Sequence, residues 1–291
     1  MDLAAFAQEV GGVADGPVTI TGTSSRSGGV PGVRCVQAPG GIEWIQADEM
    51  IVSCGAATLV EHLDAELRAV GQCVALPTAG TVGGALAVGQ SGVRRLGYGP
   101  VRDVLLQAHY VGAAGRIVKA GGPTVKNVSG FDLCRLLVGS RGTLGFIGAV
   151  ILRTRPLAAA SQWYTTDADP WSTHALLYRP VSVLWDGVTT WVLLEGHPDD
   201  VGEQAAKGGL AAVSAPPPLP AVSRWSRKPG DLRALAGTGR FVAEIGVGIV
   251  HHSQPAPPRS LEPAAVALHQ RIKRQFDPTG RLNPGVELHH V

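Results

Sequence analysis

The sequence predicts an α+β fold in two parts, a strand-rich first half punctuated by glycine and a short α/β unit after it. Three observations carry this. Short β-like runs bounded by glycine or proline fill residues 17–120, one amphipathic helix interrupts them at 57–71, and strand-like and helix-like segments alternate afresh beyond Arg155-Pro156.

PVTIT (17–21), RCVQA (34–38), MIVSC (50–54), VLLQAHYV (104–111) and RIVKA (116–120) are compact apolar or β-branched runs and read as strands. In 57–71, Leu59, Val60, Leu63, Leu67 and Val70 recur at helical spacing, with Thr58 placed to cap the start and Gly71 to end it. FDLCRLLVGS (131–140) reads as a second helix beginning near Asp132, and LAAASQW (157–163) as a linker.

VSVLWDG (181–187) and TTWVLLEG (189–196) form a hairpin turning at Asp186-Gly187, and a helix opens at Pro198. SAPPPLPAVSRW (214–225) is too proline-rich for a regular element and is expected to run extended over the surface. RFVAEIGVGIVHH (240–252) reads as one strand, and LEPAAVALHQRIKRQF (261–276) as an amphipathic helix stopped by Asp277-Pro278. The expected parts are therefore 1–157, a cap-like unit at 158–239, and a C-terminal segment at 240–291.

A chain of 291 residues, 45% hydrophobic and 16% charged, buries a full core. Its net charge of +2, without a Lys/Arg run longer than the Arg94-Arg95 pair, gives no reason to expect nucleic acid or a membrane surface. An acidic start and the lack of about eighteen consecutive apolar residues lead to the expectation of a cytoplasmic chain with no membrane span. Cys35, Cys54, Cys73 and Cys134 have neither zinc-site nor iron–sulfur spacing, so four buried reduced thiols and no metal are expected. The sequon at Asn127 is read as chance.

The informative stretches are three loops, TGTSSRSGG (21–29), TAGTVGGALAVGQSG (78–92) and GSRGTLGFIG (139–148). None is a Rossmann fingerprint or a Walker loop. Glycine with Ser and Thr nevertheless suits a phosphate cradle, because a backbone without Cβ lets N–H groups approach and hydroxyls donate beside them. Tight turns in a β-rich fold are the simpler reading of any one loop, but three within one domain weaken it.

These loops, with TVKNVSGFDLCRLLVGSRGTLGFIGAVIL (124–152) and the terminal RIKRQFDPTGRLNPG (271–285), occur in an order that resembles the FAD-linked oxidase family of the vanillyl-alcohol oxidase type. Within it, the chain is most similar to the smaller FAD-binding subunits of bacterial glycolate oxidases. The resemblance covers about residues 15–155 and 240–287. It implies a two-subdomain FAD-binding domain at 1–157, a cap, and a C-terminal segment returning to the flavin. Carried over residue by residue, Thr21, Gly22, Thr23, Ser24 and Ser25, with Thr81, Val82, Gly83 and Gly84, would hold the pyrophosphate through backbone N–H groups. Ser91 and Gly92 would continue along the cofactor. Gly142, Thr143, Leu144, Gly145 and Phe146 would line its adenosine or ribityl side, and Asn283 would approach the flavin ring.

Departures from the family pattern refine this. Relatives with covalent FAD place a histidine after Arg-Ser-Gly-Gly, where this chain has Val30, so a non-covalent flavin is implied. Arg141 stands where many relatives carry Glu, and His251-His252 is the sole trace of the family's metal-binding histidines. On a strand these two point to opposite faces, so at most one faces the flavin. His251 is the candidate catalytic residue, as acceptor of a substrate hydroxyl proton or as a neighbour of reduced flavin, against a plain strand-end histidine. Arg94, Arg95 and Arg102 are candidates for a carboxylate or for phosphates, or are solvated surface. Asp103 and Asp132 read as turn or cap residues, and Trp185 and Trp191 as packing.

The resemblance implies the FAD subunit of a complex that oxidises a small 2-hydroxy acid to a 2-oxo acid. Its implied partners are an iron–sulfur subunit, which takes electrons from the flavin, and a larger homologous flavoprotein subunit, with no nucleic acid. Because the cap is short, either this chain oxidises the substrate or it relays electrons while the larger subunit does the chemistry. The rival readings are a stand-alone FAD-dependent oxidase or dehydrogenase on another substrate, and a scaffold subunit that has lost FAD.

Overall fold

The computed structural model describes residues 1–25, 28–123, 132–258 and 262–286. The sequon, the residues before Asp132 and part of the first glycine loop lie outside them. The chain forms two compact units. The first comprises Met1–Gly92, Pro100–Leu157 and Leu261–His290, and the second Val93–Gly99 and Ala158–Ser260. The segment expected to return as one piece at 240–291 is thus divided, with 240–260 built into the second unit.

In the first unit, α1 (Leu3–Val10) precedes β1 (Val18–Ile20), which pairs in parallel with β2 (Arg34–Val36). A five-stranded sheet follows from β3 (Ile42–Gln46), β4 (Ile51–Gly55), β6 (Leu105–Val111), β7 (Ile117–Gly121) and β8 (Phe146–Arg153). Its order is β3-β4-β8-β6-β7, every pair antiparallel. The short β5 (Gln72–Cys73) pairs with β9 (Arg155–Pro156) at the end of this half. β8 sits at the centre and is buried from Phe146 to Leu152. Buried on both faces, it has no polar alternation.

Helices α2 (Val60–Ala69), α3 (Val82–Val88) and α5 (Leu133–Leu137) pack Val60, Leu63, Leu67, Val82, Leu86 and Leu137 into the core with Val52, Val150 and Leu152. Gly71 ends α2 as expected, but Thr58 does not cap it. Leu59 is the capping residue, and the Thr58 hydroxyl donates to Gly41 O at 3.1 Å. Asp132 does cap α5, accepting from Arg135 N. Helix α3 lies within what reads as a continuous glycine loop, started by the Thr81 hydroxyl, which accepts from Gly84 N at 3.1 Å. Of the four thiols, Cys54, Cys73 and Cys134 are buried, whereas Cys35 on β2 is exposed, against the expectation for all four.

The second unit begins with α4 (Arg95–Tyr98) and resumes with β10 (Ala160–Thr166), a strand where a linker was expected. After α6 (Pro170–Leu176) come β11 (Ser182–Trp185) and β12 (Thr190–Gly196), the hairpin, whose turn is fixed by Asp186 accepting from Val188 N and Thr189 N. Helix α7 (Pro198–Lys207), β13 (Ala211–Val213) and β14 (Ser223–Ser226) follow. The expected single strand at 240–252 is two, β15 (Phe241–Glu244) and β16 (Ile249–His252), because the chain turns at 245–248. The seven strands order β13-β10-β12-β11-β15-β16-β14. One face carries the apolar set Val183, Trp185, Trp225, Phe241, Ala243 and Val250. Trp185 packs edge-to-face on Trp171 and Phe241, the packing role expected of it.

The chain returns to the first unit through α8 (Pro263–Phe276). No helix among the described residues is long and apolar enough to cross a membrane.

Candidate functional site

A cleft in the first unit gathers residues from all three glycine loops and from the chain after α8. Thr21, Gly22, Thr23, Ser24 and Ser25 line it from the first loop, Thr81, Gly83 and Gly84 from the start of α3, and Gly142, Gly145 and Phe146 from the third loop, with Asn283 from the C-terminal segment. Five of the expected cofactor residues do not line it. Val82 is fully buried on the core side of α3, Leu144 is buried, and the Thr143 hydroxyl donates to Ser140 O at 2.7 Å. Ser91 accepts from Val101 N at 3.0 Å and Gly92 closes that stretch of the unit.

The walls differ in what they offer. The amides of Gly22, Thr23, Ser24 and Ser25 have no acceptor among the described residues, and Thr21, Thr23, Ser24 and Ser25 bring four exposed or half-exposed hydroxyls. This wall has donors to give. At the second loop three of the expected donors are already used: Val82 N donates to Thr58 O at 2.9 Å, Gly83 N to Ala56 O at 2.7 Å and Gly84 N to the Thr81 hydroxyl at 3.1 Å. Gly83 contributes space instead. A Cβ there would lie 2.8 Å from the Ala56 methyl and 3.0 Å from its carbonyl oxygen, so a side chain would force α3 away from the end of β4.

The third wall is fixed by Asn283. Its Oδ1 accepts from the Thr19 hydroxyl at 2.8 Å and Ile20 N at 3.2 Å, while its Nδ2 donates to Arg141 O at 2.6 Å. A Cβ on Gly142, whose φ is +72°, would meet that Nδ2 at 2.6 Å. Behind it, burial pushes the Asp277 carboxyl up, but hydrogen bonds from Lys273, Leu282 N and Arg281 N outweigh burial and hold it below its usual range.

Donors along one wall and a glycine-bared approach opposite suit a diphosphate joined to two flat groups, so the residues present fit FAD. Residues the sequence reading missed include Ala56, Ala57, Ser140 and Arg141, which also line the cleft. The signal for the first pair was the small-residue run directly after the strand MIVSC.

His251 lies in the second unit, on β16. Its Nε2 is 3.0 Å from Glu244 Oε1, and Glu244 is 2% exposed. An ionised carboxylate only accepts, so opposite an ionised Glu244 it is Nε2 of His251 that donates. The register sets Val242 and Arg224 on either side of His251, placing Glu244, His251 and Arg224 on one sheet face. Ser182 shares that face, since Leu184, two residues on, pairs with Glu244. Both Glu244 Oε2 and Ser182 Oγ are buried without a partner among the described residues. Such orphaned atoms are rare in a folded chain. Burial lowers the Arg224 guanidinium below its ordinary value, Glu244 opposing and Arg95 adding to the effect.

His252 points to the other face, as alternation requires, and stacks on Trp225 at 3.8 Å. Its Nδ1 accepts from Gln254 N, and its Nε2 meets the Thr238 hydroxyl, which itself donates to Leu235 O. Burial holds the ring neutral by lowering its pKa. The candidate arginines do not line the cleft: Arg94 pairs with Glu195 at 3.3 Å within the second unit, and Arg102 is an exposed neighbour of Asp103.

The chain matches the FAD binding domain over residues 15–121 and the C-terminal domain of FAD linked oxidases over 225–286. It is 28% identical to glycolate oxidase subunit GlcE of Escherichia coli, across 92% of each chain. D-lactate dehydrogenase of Archaeoglobus fulgidus is 42% identical over 115 residues, which are 38% of this chain and 26% of that protein. Glycolate oxidase subunit GlcD of Bacillus subtilis is 42% identical over 26% of this chain and 16% of its own. Among solved structures, an alkyldihydroxyacetonephosphate synthase superposes with a TM-score of 0.71 at 12% identity, covering 97% of this chain and 74% of that one, a likeness of fold alone.

Proposed function

The chain belongs to the FAD-linked oxidases and is an FAD-dependent oxidoreductase, and from that membership we propose that it is the FAD-binding subunit of a complex oxidising a small 2-hydroxy acid. The observation that carries the proposal is the cleft, where open amides and hydroxyls at 21–25 face the bared backbone at Gly83. Similarity to a glycolate oxidase subunit across nine-tenths of both chains supports the hydroxy-acid class.

FAD supplies a two-electron acceptor for the hydride that leaves the carbinol carbon. The chain's own residues bind and orient. Gly22, Thr23, Ser24 and Ser25 hold the diphosphate through main-chain and hydroxyl donors, and Thr81 keeps the first turn of α3 in place. Val30 has no nucleophile to offer the flavin, and the cofactor is held without a covalent bond.

On the second unit, Arg224 and His251 share one sheet face, where they offer a cation for a carboxylate and a base for a proton, with the Glu244 carboxylate beside His251. Electrons then leave the chain through a partner bearing iron–sulfur clusters, beside a larger flavoprotein subunit. The presence of both GlcE-like and GlcD-like sequences among the relatives supports a multi-subunit assembly. The test is the absorption spectrum of the protein isolated with its partners, before and after glycolate or D-lactate. Bleaching of a flavin band supports the proposal, and an unbleached flavin with every hydroxy acid offered overturns it.

A further inference from the structure

Three glycine loops do not make a cleft unless something fixes the distance between them. Asn283 spans the gap at the rim, bonding Thr19 and Ile20 on one side and Arg141 O on the other. Its own placement is imposed from behind. Val18 N donates to Arg281 O and Asn283 N to Val18 O, each at 2.9 Å, so residues 281–283 run as an added strand beside β1.

The turn that delivers this strand is wound around Asp277, which is 2% exposed. Its carboxylate accepts from Leu282 N at 2.8 Å, Arg281 N at 3.1 Å and the Thr279 hydroxyl at 3.2 Å. Lys273, one turn earlier on α8, donates to Asp277 Oδ2 at 2.7 Å, to Leu282 O at 3.1 Å and to Thr143 O at 2.7 Å. One ammonium thus joins the third glycine loop to the residue just before Asn283. Two bridges, from Lys273 and Asn283, converge on carbonyls two residues apart in the same loop.

We infer that Lys273 and Asp277 are positioning residues for the cofactor cleft, acting through Asn283 to set how tightly FAD is held. The inference rests on the reading of the cleft as the FAD site. Neither side chain lines the cleft, so neither touches the cofactor there. What they supply is preorganisation: with the loop and the terminal strand already joined, binding does not have to order them.

The experiment is a mutant cycle read by the FAD dissociation constant, using flavin fluorescence on the full chain. Lys273→Met with Asp277→Asn removes both charges together and leaves no buried carboxylate unpaired. Asn283→Ala removes the rim bridge. Each is expected to raise the dissociation constant about tenfold or more, as the loss of a charge-assisted or buried hydrogen bond does. If the pair acts through Asn283, the triple variant binds no worse than Asn283→Ala alone.

Multiplying effects, or unchanged affinity in a folded Lys273→Met/Asp277→Asn protein, overturn the inference. Should that variant not fold, Lys273→Arg keeps a charge opposite Asp277 but not a single point donor to three oxygens. A weaker FAD complex with unchanged apoprotein melting supports the inference, and wild-type affinity overturns it. A wild-type chain that binds no FAD overturns the reading of the cleft first, which separates the two failures.

Discussion

Gly83 donates its amide to the carbonyl of Ala56 at 2.7 Å, and the two backbones lie so close that a Cβ on residue 83 would sit 2.8 Å from the Ala56 methyl. The pair locks the start of α3 to the end of β4 and sets the floor of the cleft. Gly83→Val is therefore expected to cost about 1–3 kcal/mol of stability through overpacking and to yield a folded, colourless protein. Circular dichroism and the flavin absorbance of the purified variant check this, and stoichiometric FAD in that variant contradicts it.

Val30 bears on how the flavin is held. Precipitation with trichloroacetic acid is expected to leave all flavin in the supernatant as intact FAD. A yellow pellet contradicts non-covalent binding.

The Glu244–His251 pair gives a prediction on the second unit. Glu244→Gln keeps an acceptor for His251 but removes the carboxylate charge that steadies its protonated ring, and flavin reduction by a hydroxy acid should slow about ten- to a hundredfold in stopped-flow measurements. Arg224→Met should chiefly raise KM, because it removes a contact made to substrate and transition state alike. Unchanged kinetics in both variants remove this face from the reaction.

His252 makes stability depend on pH. Its folded pKa lies below the ordinary 6.5, so the unfolded chain binds the proton more readily. Its contribution is fully present above about pH 6.5 and is lost as pH falls below that value, by at most about 1.4 kcal/mol per pH unit. Thermal melting of the apoprotein should drop a few degrees between pH 7.5 and 5.5. His252→Asn, whose side-chain oxygen can replace the Nδ1 acceptor, should flatten that drop, and an equal drop in the variant contradicts the assignment.

Much of this was legible in the sequence where one physical signal dominated. Helix α2 announced itself by apolar spacing, the β11–β12 hairpin by Asp186-Gly187, and α8 by Asp277-Pro278. β8 was missed because a strand buried on both faces has no alternation, and Gly145 and Gly148 made its start look like loop. Strands β15 and β16 were fused because Gly246 and Gly248, which make their turn, sit within an unbroken apolar run. At the cleft, residue types were legible but directions were not. Val82 and Leu144 share the glycine loops yet turn into the core, and the Lys273–Asp277–Asn283 chain depends on side chains meeting across the fold.

The most direct test of the account is a titration of the flavin-stripped, folded chain with FAD and, separately, with riboflavin. Donors at 21–25 that grip a diphosphate predict one FAD per chain, with riboflavin weaker by about a hundredfold or more, since it lacks every charge-assisted bond. A folded chain that binds neither, or binds both alike, contradicts it.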